Sequence, residues 1–185
     1  MMNKIVFLDR DGVINRYPGD GDYVKSIEEF HLLPGVIESL QRLTQAGCVL
    51  FILSNQACVG RGIITQQDLD MIHQHMMNQF DQAGGIVIRE AFYATAAPDE
   101  GSLYRKPQIG YIQKAFDLLG RSMNEMSDVF FVGDSQKDVV CARNAGCCAL
   151  TVLSGGFNID EIQKWSTQPD YIVQDILEAT EIILG

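Results

Sequence analysis

The chain is short of positive charge, of paired cysteines and of long apolar runs, and each shortage removes a class of function. Lys and Arg number 14 against 24 Asp and Glu, a formal net charge of −10. A general nucleic-acid binder is disfavoured, because its affinity rests on neutralising phosphates with a basic surface. A small anionic ligand is not excluded, since local charge governs a pocket. The five cysteines, Cys48, Cys58, Cys141, Cys147 and Cys148, form no Cys-x-x-Cys pair and are odd in number. They read as reduced thiols in a cytoplasmic protein, and adjacent Cys147 and Cys148 would bridge only with strain. No apolar run is long enough to cross a bilayer, so no membrane association is expected. Asp9 and Asp11 interrupt the opening apolar stretch too early for a secretory signal. No repeat or low-complexity segment is evident.

What remains is an ordinary globular composition, 46% hydrophobic and 21% charged over 185 residues. That is enough chain for a sizeable core, and one domain over residues 1–185 is expected. Apolar runs alternate with amphipathic stretches. Strands are expected at Ile5–Leu8, Val49–Leu53, Ile86–Tyr93, Val129–Val132 and Ala149–Leu153, with a short one at Tyr171–Val173. Between them, helices are expected from Pro34 to a stop at Gly47, from an N-cap at Thr65 to about Gln82, over Ile109–Leu119 and over 136–145. Two more are expected at Ile159–Trp165 and Ile176–Ile183. Asn15–Tyr23 is a polar loop rich in turn formers. Strand and helix in alternation predict an α/β, Rossmann-like parallel sheet with helices on both faces and no large cap domain.

In such a sheet the carboxyl ends of all strands share one edge, where ligands bind. That edge collects Asp9 and Asp11 after the first strand and Ser54-Asn55-Gln56 after the second. Arg105-Lys106-Pro107 follows the third, and Gly133-Asp134 with Asp138 follows the fourth. Two carboxylates at the end of a buried strand are costly unless a cation or a reaction offsets them. A metal-assisted site with one Asp as nucleophile meets that requirement. Each piece has a plainer explanation when taken alone. Asp-Gly is a common turn, Asp134 could cap a helix, Lys106 could be a solvated charge, and Asp138 could answer a helix dipole. Their joint placement on one edge favours chemistry. Phosphate-monoester hydrolysis asks for this set: a carboxylate nucleophile, an acid–base carboxyl, Mg2+, a Lys and a hydroxyl around the phosphoryl oxygens.

The series Asp9-x-Asp11-Gly12-Val13, Ser54-Asn55, Lys106-Pro107 and Gly133-Asp134-x-x-x-Asp138 resembles the four motifs of the haloacid dehalogenase superfamily over nearly the whole chain. Phe7 to Asn15, Tyr23-Val24, Ser54-Asn55-Gln56, Gly60-Arg61-Gly62 and Arg105-Lys106-Pro107 are similar to its small capless phosphatases of D-glycero-D-manno-heptose 1,7-bisphosphate. Histidinol-phosphate phosphatase domains share much of this pattern. The resemblance implies a haloacid dehalogenase-like fold and removal of the 7-phosphate of the heptose, a step toward bacterial surface polysaccharide.

By the same resemblance Asp9 is the nucleophile and Asp11 the acid–base group. Asp9, the backbone carbonyl of Asp11, and Asp134 hold Mg2+, and Ser54 and Lys106 grip the phosphoryl group. Arg105 recognises the substrate with Asn55, Gln56 and the Asp20–Tyr23 loop. Arg61, between two glycines, is read from its own position as a candidate for a second anionic group. One departure concerns the zinc loop common in these phosphatases. Ala94, Ala96, Ser102 and Tyr104 stand where Cys and His ligands are usual, so no structural zinc is expected. The expected partner is a small phosphorylated sugar, and the expected state a monomer or small homo-oligomer. Histidinol-phosphate hydrolysis, or hydrolysis of another small sugar phosphate, is the competing enzymatic reading. A binding module that retains the fold is the competing non-enzymatic one.

Overall fold

The computed structural model describes residues 3–185. Six strands form one parallel sheet: β1 (Ile5–Leu8), β2 (Val49–Asn55), β3 (Ile88–Ala94), β4 (Val129–Gly133), β5 (Cys148–Val152) and β6 (Tyr171–Val173). Their order is β3-β2-β1-β4-β5-β6. The chain winds outward from β1 through β2 to β3, then returns to β4 on the other side of β1. The reversal lies between β1 and β4, and a crevice opens there beyond the carboxyl ends.

Alternation along β1 divides the core. Val6 and Leu8 face a layer with Leu50, Ile52, Val132 and Leu150, covered by α1 (Val36–Gln45), α2 (Gln66–Ala83) and α6 (Ile176–Leu184). Ile5 and Phe7 face the opposite layer with Phe51, Leu53 and Phe131, covered by α3 (Gly110–Leu119) and α4 (Gln136–Ala145). Both faces are dry, as a parallel sheet requires. Phe7 stacks between Phe51 at 5.4 Å and Phe131 at 6.1 Å, placing a row of rings beneath the crevice.

Local chemistry sets the element ends. Thr65 and Asp68 close a reciprocal capping box at the start of α2. Three segments differ from the sequence expectation. The helix expected from Pro34 starts at Val36 as α1, because Gly35 takes φ +79°, a left-handed value that is not helical. Strand β3 begins at Ile88 rather than Ile86, because Gly84 and Gly85 both adopt positive φ and prolong the turn. The helix expected over Ile159–Trp165 ends at Ile162 as α5 (Ile159–Ile162). There the Gln168 amide donates to the carbonyls of Ile162, Gln163 and Trp165 and takes the place of further helical N–H groups. No helix among the described residues is long and apolar enough to cross a membrane.

Candidate active site

Asp9 leaves the end of β1 with its N–H bonded to the Val132 carbonyl of β4, at the sheet's switch point. Its Oδ1 accepts the Arg10 N–H at 2.7 Å, and its Oδ2 lies 2.9 Å from Lys106 Nζ. Lys106 Nζ also lies 2.6 Å from Asp138 Oδ1. Burial alone would lower the Lys106 pKa; Asp138 and Asp9 more than offset it, so the ammonium is held. Burial raises Asp9 to about 6, with the Asp138 and Asp11 charges adding and Lys106 opposing. Asp134 is pushed well above the usual carboxylate range by burial, then by Asp138 and Asp9. One cation thus pairs with two buried carboxylates, while the third, Asp134, stands beside them unpaired among the described residues.

Oxygens of Asp9, Asp134 and Asp138 lie within 4.8 Å of one another. Asp138 spends both oxygens already: Oδ1 on Lys106, and Oδ2 on the Ser135 N–H and hydroxyl at the start of α4. Among the described residues no donor bonds the Asp134 carboxylate, which is 4% exposed. Gly12 and Gly155 both lie against it, closely enough that a Cβ at either would overlap its carboxyl group. A buried carboxylate beside Asp9 with no donor of its own, in an all-oxygen site, fits a hard divalent cation such as Mg2+. Asp138 is better read as the group that seats Lys106.

Asp11 points its carboxylate away from this triad. Oδ1 accepts from Asn15 Nδ2 at 2.9 Å and from Arg10, and Oδ2 accepts from Gln56 Nε2 at 2.7 Å. Ser54, at the end of β2, accepts from the same Gln56 nitrogen at 3.0 Å. Its own hydroxyl proton is then available to the pocket. Asn55 clasps the Lys106 backbone, accepting its N–H at 2.9 Å and donating to its carbonyl at 3.1 Å.

The pocket over these groups is walled by Asp9, Asp11, Ser54, Asn55, Lys106 and Asp134, with Tyr23 and Arg105 farther out. Three expected recognition residues stand elsewhere. Gln56 is fully buried, outside the wall, with both ends of its amide engaged by Arg10, Asp11 and Ser54. Asp20 is outside the wall and accepts the Tyr17 hydroxyl at 2.6 Å. Arg61 is exposed and also outside it, its Nη1 at 3.4 Å from the Tyr23 hydroxyl.

Asp22, in the expected Asp20–Tyr23 loop, lines the wall, and Tyr17, Lys137 and Phe157 are among the further residues that join it. Arg105 and Lys137 have no carboxylate partner among the described ion pairs. Arg105 Nη1 is enclosed without a hydrogen-bond partner, and burial followed by the nearby Arg61 charge lowers the Arg105 pKa. Arg10 is fully buried behind Asp11. Its place between two aspartates was visible in the sequence, but its direction was not. At the loop carrying Ala96, Ser102 and Tyr104, the Tyr104 ring packs on Tyr111 at 4.8 Å, and Tyr111 stacks on Phe92 at 4.9 Å.

The chain is 33% identical to the D-glycero-beta-D-manno-heptose-1,7-bisphosphate 7-phosphatase of Bordetella bronchiseptica over 98% of both chains. It belongs to the heptose bisphosphate phosphatase family. Residues 103–179 also match the HAD-hydrolase-like family model. The Thermosynechococcus vestitus D-glycero-D-manno-heptose-1,7-bisphosphate 7-phosphatase is 30% identical over 99% of this chain and 96% of its own. Among solved structures, the B. bronchiseptica D,D-heptose 1,7-bisphosphate phosphatase complexed with magnesium and phosphate superimposes with a TM-score of 0.87. It is 31% identical, with 98% of each chain covered.

Proposed function

We propose that this family member is a Mg2+-dependent phosphomonoester hydrolase that removes the 7-phosphate of D-glycero-D-manno-heptose 1,7-bisphosphate through an aspartyl-phosphate. The observation that carries the reading is the Asp9–Lys106–Asp138 chain beside a donor-free Asp134, with a buried carboxylate, a fixed ammonium and the Ser54 hydroxyl lining one pocket. Bound Mg2+, held by Asp9 and Asp134, would offset the charge between an anionic nucleophile and an anionic ester.

Each remaining role falls to the chain's own groups. Lys106 and Ser54 hold phosphoryl oxygens as charge spreads over them. An Asp9 oxygen forms a bond to phosphorus as the sugar C–O–P link loses its P–O bond. Asp11 delivers its proton to the departing sugar oxygen. Water then attacks phosphorus, its proton returns to Asp11, and the Asp9–phosphorus bond breaks to free phosphate. Arg105 and Lys137, two cations without carboxylate partners on the pocket wall, favour a substrate with a second anionic group over a cationic one such as histidinol phosphate.

The test is phosphate release with Mg2+ from the heptose bisphosphate, histidinol phosphate and a panel of sugar phosphates, with Asp9→Asn as control. The expected result is a preference for the bisphosphate and no turnover by Asp9→Asn. Equal rates on every substrate would reject the heptose assignment, and a working Asp9→Asn would reject the nucleophile.

A further inference from the structure

Gln56 and Arg10 form a buried network whose members touch both working groups of the site but not the pocket itself. Arg10 is 0% exposed, as is Gln56. The Arg10 guanidinium reaches Asp11 from Nε at 3.3 Å and from Nη2 at 3.1 Å to each carboxylate oxygen. Nη2 also donates to Gln56 Oε1 at 3.0 Å. That bond sets the amide's orientation, since the acceptor end must face the guanidinium. The donor end, Nε2, then bridges Asp11 Oδ2 at 2.7 Å and Ser54 Oγ at 3.0 Å. The guanidinium lies over the Tyr93 ring, 5.9 Å from its centroid, and the Gln56 N–H is bonded to the Ala94 carbonyl at 2.9 Å. Both anchors belong to β3, so the network ties β1, β2 and β3 together at their carboxyl ends.

Stability does not explain such an arrangement. Arg10 is fully buried and the Asp11 side chain 16% exposed, and a largely buried ion pair of this kind is often no more stable than well-packed apolar residues of the same volume. What the pair and its bridging amide do well is fix geometry, and a displacement of about 1 Å at a reacting group can cost on the order of 100-fold in rate.

We propose that Arg10 and Gln56 are positioning residues. They hold the Asp11 carboxyl and the Ser54 hydroxyl at a set separation, so that the group serving the leaving oxygen and the group gripping the phosphoryl oxygens act as one unit. The inference rests on the phosphatase reading above, in which Asp11 protonates the leaving oxygen and Ser54 binds phosphate.

The test is single-turnover release of the leaving group from two substrates: a sugar phosphate, whose alkoxide needs a proton, and 4-nitrophenyl phosphate, whose phenolate leaves without one. Gln56→Met, Arg10→Met, Arg10→Lys and, as reference, Asp11→Asn are compared with wild type, each with its melting temperature. Asp11→Asn should slow the sugar ester far more than the aryl ester, by about 100-fold or more in the ratio. Gln56→Met should reproduce this split in part, with the ratio falling about tenfold, and should raise KM for both esters through Ser54. Arg10→Lys should recover part of the ratio lost in Arg10→Met. If Asp11→Asn splits the substrates but Gln56→Met slows both equally or neither, the positioning role is overturned. If Asp11→Asn itself produces no split, the acid–base reading of Asp11 fails instead. Gln56→Met decides the matter even if Arg10→Met does not fold.

Discussion

Asn55 holds Lys106 by its backbone and not by its side chain: the Asn55 carboxamide accepts the Lys106 N–H at 2.9 Å and donates to the Lys106 carbonyl at 3.1 Å. The strand that presents Ser54 therefore also sets where the loop after β3 delivers its ammonium. With that backbone pinned, Lys106 Nζ can meet Asp9 and Asp138 together. Replacing Asn55 with Ala leaves both Lys106 backbone groups unpaired in a partly buried setting. The expected cost is about 1–3 kcal/mol of stability. The expected loss in kcat is on the order of 10- to 100-fold, since the ammonium is no longer aimed. Denaturant melts and steady-state kinetics on one preparation check both; unchanged kcat with lowered stability would show that Lys106 finds its place without Asn55.

The Asp9 carboxyl supplies a pH-dependent prediction. Burial, with help from Asp138 and Asp11 and against Lys106, raises it to about 6 from an ordinary value of 3.8. Between those values the folded chain holds a proton that the unfolded chain has released, so this group adds stability as pH falls through about 6 and withdraws it as pH rises. Asp9→Asn removes the charge. In metal-free protein it should melt higher than wild type at pH 7.5, and the gap should close toward pH 5. Mg2+ should raise the wild-type melting temperature at pH 7.5, less so at pH 5.5 where protons compete, and have little effect on Asp9→Asn. A metal-free Asp9→Asn that melts below wild type at pH 7.5 would contradict the assignment.

The sheet was legible in the sequence because a parallel strand buried on both faces leaves a nearly continuous apolar run: β1, β4 and β2 as far as Leu53 do so, and β5 is broken only by the buried Thr151. The Asp9, Lys106 and Asp134 cluster followed, because the ends of parallel strands can only meet on one edge. Failures came where direction mattered more than position. Gln56 lies two residues beyond Ser54, yet turns inward to Arg10 and Asp11. Arg61 sits in a Gly-flanked loop that ends beside Tyr23, outside the pocket wall. Phe157 and Lys137 reach the pocket because α4 and the segment after β5 start at the same edge, which no local pattern records. The helix expected over Ile159–Trp165 stops short because Gln168, six residues past the end of α5, bonds the Ile162 carbonyl.

Recognition of a second anionic group separates three cations. Arg105 and Lys137 line the pocket without carboxylate partners, whereas Arg61 stands outside its wall. Arg105→Ala and Lys137→Ala should each lower kcat/KM for the bisphosphate by about 10-fold or more, mostly through KM, as expected for loss of a charge-assisted contact. Rates with 4-nitrophenyl phosphate should change little. Arg61→Ala should have the smaller effect on the bisphosphate. Substrate competition between the bisphosphate and its monophosphate in one reaction would reveal the ranking directly. A larger loss from Arg61→Ala than from Lys137→Ala would place the second anionic group at the outer rim.

Gly12 gives the sharpest test of how Asp134, the carboxylate proposed to hold Mg2+, is seated. Its φ is +83°, a conformation that costs any other residue, and a Cβ built there would overlap the Asp134 carboxyl group. Gly155 also lies against the Asp134 side chain, which leaves that side chain little room to shift. Gly12→Ala must therefore strain the turn after β1, move Asp134, or do both. Backbone strain of this kind costs about 1–3 kcal/mol. Displacing Asp134 from Asp9 should weaken Mg2+ binding beyond that loss. The expected outcome is a lowered melting temperature without metal, a smaller stabilisation on adding Mg2+, and activity that recovers in part at high Mg2+. If Gly12→Ala loses stability but binds Mg2+ as wild type does, measured by calorimetry, the strain resides in the turn alone and Asp134 is held by its own strand and not by the glycines that flank it.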